Sequence, residues 1–253
     1  MAEQRPYRRS RRRRRRSLLG RLLTFTCICL ILFLGISVFF RVSEIRVEGD
    51  TRYTGEQVQA ASGVDHRAHM FFINPAAIRD NIRRQLPYAD QVEIRRQFPG
   101  SLEITVTDSA PIAFIRAERG YLILDRQCRV LEIRDSLDLP DLIPIVGVSP
   151  ILPVEGTIIT PGEIGQGKVT YLQSLLPIIE GLGIADQVER IEVAHVNEIR
   201  LIYADGRFEV LLGPNRDLDY KLAMLLGTVE RIGEYERGII DLSQGGPAHF
   251  RPT

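Results

Sequence analysis

Cysteine is scarce in this sequence, with three copies in 253 residues, at positions 27, 29 and 128. Cys27 and Cys29 fall inside an apolar run, where they read as small helix fillers, and no acylation signal accompanies them. Cys128 stands alone in the rest of the chain. No disulfide can form within that part, so a hydrophobic core must hold it. Histidine is nearly as sparse, with four copies. His66 and His69, beside Asp65, have a spacing that could hold a metal. No second cluster lies near them in sequence, and exposed turn residues are the expectation. His195 and His249 are isolated. Neither a metal nor a cofactor is implied.

Catalytic signatures are missing as well. No G-x-S-x-G stretch marks a nucleophile elbow. The run Gly162-Glu163-Ile164-Gly165-Gln166-Gly167-Lys168 follows the phosphate-loop pattern as far as its lysine. Val169 then stands where Ser or Thr must hold magnesium, and Thr170 comes one residue too late. These glycines read as a loop leading into a helix. Acids are numerous, so a carboxylate pair is always available on paper and none is singled out. No catalytic residue is expected. A membrane-anchored peptidoglycan enzyme is the alternative reading.

Charge is absent from Leu22 to Phe40, LLTFTCICLILFLGISVFF, which Arg21 and Arg41 close on either side. As a helix, those 19 residues reach about 30 Å, the thickness of a bilayer's hydrocarbon core. Upstream lie Arg11, Arg12, Arg13, Arg14, Arg15 and Arg16, and with Arg21 they hold that side in the cytoplasm and meet anionic head groups. The expectation is a single-pass type II anchor, with the N-terminus cytoplasmic and everything after Arg41 outside. A cleaved secretory signal, using Gly35 and Ser37, competes with it. Against cleavage, the apolar run continues through Val38, Phe39 and Phe40 and is long for a signal.

Residues 1–21 hold ten of the 33 Lys and Arg and one of the 32 Asp and Glu. The remainder carries 23 basic and 31 acidic side chains, a net of −8. With no basic stripe there, nucleic-acid binding is not expected of the exterior part. Its length of about 210 residues favours two domains.

Beyond the anchor, Ile45 and Val47 alternate with charges as in a half-buried strand. Thr54 and Gln57 form a capping box for a short helix that Gly63 stops. After the apolar run Met70-Phe71-Phe72-Ile73, Asn74-Pro75 opens a second helix. Ala77, Ile78, Ile82 and Leu86 form its apolar face and its arginines the other. Strands around Val92 and Ile94, then Leu102, Ile104 and Val106, join at Phe98-Pro99-Gly100 as a hairpin. The order β-α-α-β-β within residues 42–109 predicts a three-stranded sheet with both helices on one face.

From residue 110 to 243 the pattern is β-rich. Three short strands (PIAFIR, GYLILD, RVLEI) precede a proline-studded segment, 139–161, that reads as loop and edge. A helix over 167–182 follows, with Val169, Leu172, Leu175, Leu176 and Ile179 as its stripe and Pro177 as a kink. Strands VERIEVA, EIRLIYAD and RFEVLLG come next, the last two joined at Asp205-Gly206. A helix over 217–232 buries Leu218, Leu222, Leu225, Leu226 and Val229. RGIIDLS forms the last strand, and residues 244–253 are a tail.

This arrangement resembles the FtsQ/DivIB family of bacterial cell-division proteins. The likeness is carried by IRVEGDTRYTGEQVQAASGV with MFFINPAAI, by VEIRRQFPGSLEITVTDSAPIAFI, and by YLILDRQCRVLE, LIYADGRFEVLLG and GIIDLSQGG. It covers residues 42–246. The fold it implies is membrane-anchored α+β: a basic cytoplasmic tail (1–21), a single transmembrane helix (22–40), a β-α-α-β-β POTRA domain (42–109) and a β-rich α+β domain with a mainly antiparallel sheet (110–243).

The resemblance further implies a non-enzymatic scaffold at the division septum. Its partners would be FtsB/DivIC-like and FtsL-like bitopic proteins, with septal peptidoglycan synthases as further candidates. The family's partner site maps to Gly238, Ile239, Ile240, Asp241, Leu242 and Ser243 and to the tail as far as Phe250. A terminal strand there would leave backbone donors and acceptors open for an added strand. Ser243 and Gln244 replace the Arg-Tyr pair of the proteobacterial pattern, so individual side-chain contacts are not carried over.

Overall fold

The computed structural model describes residues 12–118, 120–137, 141–162 and 165–253, with backbone alone at 12–19, 33, 34 and 36–38. The arginine run Arg11–Arg16 lies outside the described side chains. Helix α1, Arg12–Phe39, takes in the uncharged stretch up to its last residue. From Arg21 to Leu32 its side chains are exposed on every face. Among the described residues no helix is long and apolar enough to cross a membrane. The unbroken described run in α1, Gly20–Leu32, reaches only roughly 20 Å at the rise of a helix.

The unit after α1 is built as its residue pattern predicts. Strand β1 (Glu44–Glu48), helix α2 (Gly55–Ser62), a 3-10 turn (Met70–Phe72), helix α3 (Pro75–Gln85) and strands β2 (Ala89–Gln97) and β3 (Ser101–Asp108) follow in order. The sheet runs β1-β3-β2, with β1 parallel to β3 and β2 antiparallel to it. Thr54 and Gln57 make the full capping box on α2, and Gly63 ends it in the left-handed region. Asn74 caps α3 by accepting from Ala76 and Ala77, ahead of Pro75.

Val58, Met70, Ile78, Ile82, Leu102, Ile104 and Val106 fill one core beneath the two helices. Each such side chain contributes about 1.5–3 kcal/mol. Two expectations for α3 are corrected. Ala77 is exposed, because the core is reached by Ile78 and Ile82, one turn apart. Nor do all its arginines face water. Arg79 and Arg83 fold back and donate to the carbonyls of Val92 and Asp90. Long side chains can cover a strand in this way while keeping their charge near solvent.

The second unit is one nine-stranded sheet ordered β12-β11-β10-β9-β8-β7-β4-β5-β6. Its strands are β4 (Ala113–Ala117), β5 (Gly120–Leu124), β6 (Val130–Arg134), β7 (Ile143–Val146), β8 (Val188–His195), β9 (Glu198–Tyr203), β10 (Phe208–Leu211), β11 (Gly238–Asp241) and β12 (His249–Pro252). Antiparallel pairs outnumber parallel ones. The parallel contacts are β4 with β7, β7 with β8 and β10 with β11. Helices α4 (Gln166–Leu182) and α5 (Leu218–Val229) pack on it. The α4 stripe Val169, Leu172, Leu175, Leu176 and Ile179 is buried throughout, joined by Tyr171. Ala204, Asp205 and Gly206 all take positive φ between β9 and β10.

One reading of the proline-rich segment is overturned: β7 lies in the middle of the sheet. It pairs with β4 on one side and β8 on the other. The amide of Ile143 donates to Ile112, towards β4, so the position without an N–H at Pro144 faces β8. The ladder to β8 starts only at Ile145, and the proline breaks no bond there.

Candidate functional site

A sheet offers a partner its unpaired edges. In the nine-stranded sheet the two ends differ. The outer side of β6 is covered by the segment after β7. Val130 donates to Thr157 and accepts from Gly156, Ile159 donates to Cys128, and the carboxylate of Glu155 receives the amide of Ile133. That edge is closed. Among the described residues no strand pairs with the outer side of β12.

The expectation that strand 238–243 itself presents the open edge is therefore corrected. The tail turns back and pairs antiparallel with β11, Gly238 against Pro252, Ile239 against Arg251, Ile240 against Phe250 and Asp241 against His249. Sequence missed this because four residues, His-Phe-Arg-Pro, are too short and irregular for an alternating pattern. Ile240 and Leu242 are buried in the core and Gly238 is buried, whereas Ile239, Asp241, Ser243 and Phe250 are half-buried.

Three local devices hold the tail. The ring of Phe250 meets Phe208 edge-on, with centroids 6.2 Å apart. Asp241 accepts from the amide and hydroxyl of Ser243 at 2.9 and 2.7 Å, and Arg251 reaches its other oxygen at 3.4 Å. These partners, the Ser243 hydroxyl first, hold the Asp241 carboxyl below its ordinary value against the opposing pull of burial. Gly238 supplies the third. A Cβ there would lie 2.2 Å from the carbonyl oxygen of Arg251 and 2.8 Å from the Phe250 ring, so only glycine lets the tail approach this closely.

Thr253 donates to Arg237. By alternation residues 251 and 249 also face β11, and Phe250 and Pro252 turn their backbone groups outward. The open edge thus presents the N–H of Phe250 and the carbonyls of Phe250 and Pro252.

A second polar cluster joins the two units. Arg126 lies 2.7 Å from Asp90 on β2 and 3.1 Å from Glu180 on α4. Buried Arg129 donates to Ala89, and the Tyr88 hydroxyl donates to Glu132. Asp125, fully buried, accepts from Ser109, Gln127 and Arg129. Burial pushes its carboxyl up, while the Arg129 amide and charge and the Gln127 amide pull it down. Cys128 beside it is pushed up to about 12, chiefly by burial and then by the Asp125 charge, which makes it an inert packing residue.

The remaining candidates show no reaction geometry. His66 contacts the Gln59 amide at 2.6 Å, and His69 lies tilted against Phe71 and Phe72. Among the described residues no group of three His, Cys, Asp or Glu could hold a metal. Of the phosphate-loop-like run, residues 163 and 164 lie outside the description. Lys168 lines a shallow cleft of about 460 Å³ with Gly147, Ser149 and Pro161. Its ammonium donates to Gly147 at 2.7 Å.

Residues 40–108 match the FtsQ-type POTRA domain. The cell division protein DivIB of Clostridium tetani is 23% identical over 216 residues, covering 84% of this chain and 80% of that protein. The cell division protein FtsQ of Corynebacterium glutamicum is 24% identical over 193 residues, covering 74% of this chain and 75% of the relative. DivIB of Brevibacillus brevis reaches 33% identity over 119 residues, 46% of this chain and 45% of its own. Residues 40–108 are thus a POTRA unit of the FtsQ type, and along most of its length the chain is similar to DivIB and FtsQ cell division proteins.

Proposed function

We propose that this chain is a non-enzymatic scaffold of the cell-division machinery, anchored in the cell membrane by α1, that captures FtsB/DivIC-like and FtsL-like partners by strand addition on β12. The anchor reading is supported by a stretch without charge from Leu22 to Phe40. From Leu22 to Leu32 its side chains are exposed, with Leu22, Leu23 and Ile31 at 67%, 68% and 69%. A helix apolar on every face suits lipid better than water. The arginines before it favour a cytoplasmic N-terminus and an external POTRA unit at the septum.

The observation that carries the partner reading is the asymmetry of the large sheet: among the described residues, β6 is capped by the chain itself and β12 is not. An added strand would gain main-chain hydrogen bonds from Phe250 and Pro252, and β11 behind them would fix the register. Residues 238–243 then act as the backing of the site rather than as its contact surface.

Co-purification of the full-length chain with its DivIC-like partner, with and without residues 249–253, tests this. Loss of the partner on deletion, with the POTRA unit still folded, is the expected result. Unchanged capture would remove β12 from the site. Stronger capture would mean that the tail plugs β11 and that the partner competes with it.

A further inference from the structure

Exposed phenylalanine is concentrated in one place on this molecule. Among the described residues, those more than half exposed are Phe25, Phe39, Phe71, Phe72 and Phe98. All lie on α1 or at the tip of the POTRA unit where α1 enters it. The tip is made by the 3-10 turn and the β2–β3 turn. Phe40, Phe71 and Phe98 form a triangle with centroids 5.2, 5.7 and 5.4 Å apart. His69 lies against Phe71 and Phe72 at 5.6 and 5.3 Å. Phe72 is 85% exposed and Phe98 54%. An apolar cluster so open to water is unusual unless something covers it.

The connection to α1 says what covers it. The helix ends at Phe39, and the next residues are already bound to the tip. The amide of Met70 donates to Phe40 at 2.9 Å, Val42 donates to Ala68 at 2.9 Å, and Ser43 donates to Gly100 at 2.8 Å. Arg41 bridges to His69. No slack linker separates helix from sheet, so the rings must sit level with the point where α1 leaves its surroundings. Arg41, exposed and next in the chain to Phe40, puts positive charge at the tip, at the height where phosphates would lie.

We propose that this tip is an interfacial foot: Phe71, Phe72 and Phe98 enter the head-group zone of the outer membrane surface and hold the POTRA unit down against the bilayer. Aromatic rings favour that zone, and anchoring at a second point beside the helix would set the unit's tilt. The proposal rests on reading α1 as the membrane anchor, and it adds a lipid contact made by the folded domain.

The chain has no tryptophan, so single reporters carry no background. Phe72→Trp, Phe98→Trp, Leu30→Trp and Tyr235→Trp are made in the full-length chain. Each is reconstituted in phosphatidylcholine–phosphatidylglycerol vesicles whose acyl chains are brominated either near the ester or at mid-chain. Tyr235, 93% exposed in the loop before β11, serves as the water reference.

The expected result is a blue-shifted emission from Phe72→Trp and Phe98→Trp that near-ester bromine quenches strongly. Leu30→Trp is then quenched best by mid-chain bromine, and Tyr235→Trp by neither. Quenching at Leu30 with water-like emission at positions 72 and 98 overturns the foot and leaves the anchor. A blue shift at 72 and 98 without quenching means that protein, a second copy or a partner helix, covers the rings, and it also overturns the proposal. An unquenched Leu30→Trp overturns both foot and anchor.

Discussion

Lys221 is the residue whose role nothing in its neighbourhood of sequence announces. It sits among the apolar positions of α5, 4% exposed, and its ammonium donates to Leu212 at 2.6 Å and Pro214 at 3.0 Å. The stem packs with the core while the head satisfies two carbonyls at the exit of β10. Burial pushes its pKa down, partly offset by Asp217. The unfolded chain therefore binds this proton more tightly than the folded one. The group's contribution to stability rises with pH as the depressed folded pKa is passed, and the gain is complete above the ordinary lysine value of 10.5. Lys221→Met keeps the stem and removes the donors. Denaturant unfolding in detergent should show a loss of about 1–3 kcal/mol, the cost of leaving buried carbonyls unpaired. An unchanged midpoint would show that water replaces the ammonium.

The tail strand makes the argument for elements. Four residues of β12 cannot stand alone, and their docking depends on Phe250 packed against the core, glycine at 238 and the ionised Asp241. Because the Asp241 carboxyl is held below its ordinary value of 3.8, its share of stability is present above that value and is lost as pH falls through the depressed folded pKa. Amide exchange at Phe250 and Arg251 should accelerate in that acid window while the amides of β9 stay protected. Asp241→Asn should abolish the acid step and speed exchange at neutral pH. Equal acid steps in Asp241→Asn and the parent would exclude Asp241 as the clamp. The same scale explains β7: proline argues against a central strand only where the missing N–H has a partner to lose.

For the whole molecule, the junction decides whether anchor, POTRA unit and large sheet act as one body. Two separate cores are stitched by Arg126, Arg129, Tyr88 and Asp125. Arg126 touches β2 and α4 at once, so it couples the first core to the helical layer of the second. Arg126→Ala strands the largely buried Asp90 carboxylate and should cost about 1–3 kcal/mol. By calorimetry the single transition expected of the parent should split, with the POTRA unit melting first. Equal cooperativity in both would mean that the bonds from Arg129 to the Ala89 carbonyl and from the Ser109 hydroxyl to Asp125 suffice.

The sequence by itself determined the local features. The capping box at Thr54, the stop at Gly63, the hairpin at Asp205-Gly206 and the stripe of α4 all follow from neighbours a few residues apart, where backbone geometry and hydrogen bonding are decided. The uncharged stretch from Leu22 to Phe40 was equally legible. Tertiary structure alone decided what depends on distant partners. It put β7 between β4 and β8, closed β6 with residues 155–159, and folded the tail over β11 so that the open edge moved to β12. It also gathered Phe40, Phe71 and Phe98 onto one tip. Edges and patches of this kind are properties of what is left uncovered, and no short window of sequence contains the residues that do the covering.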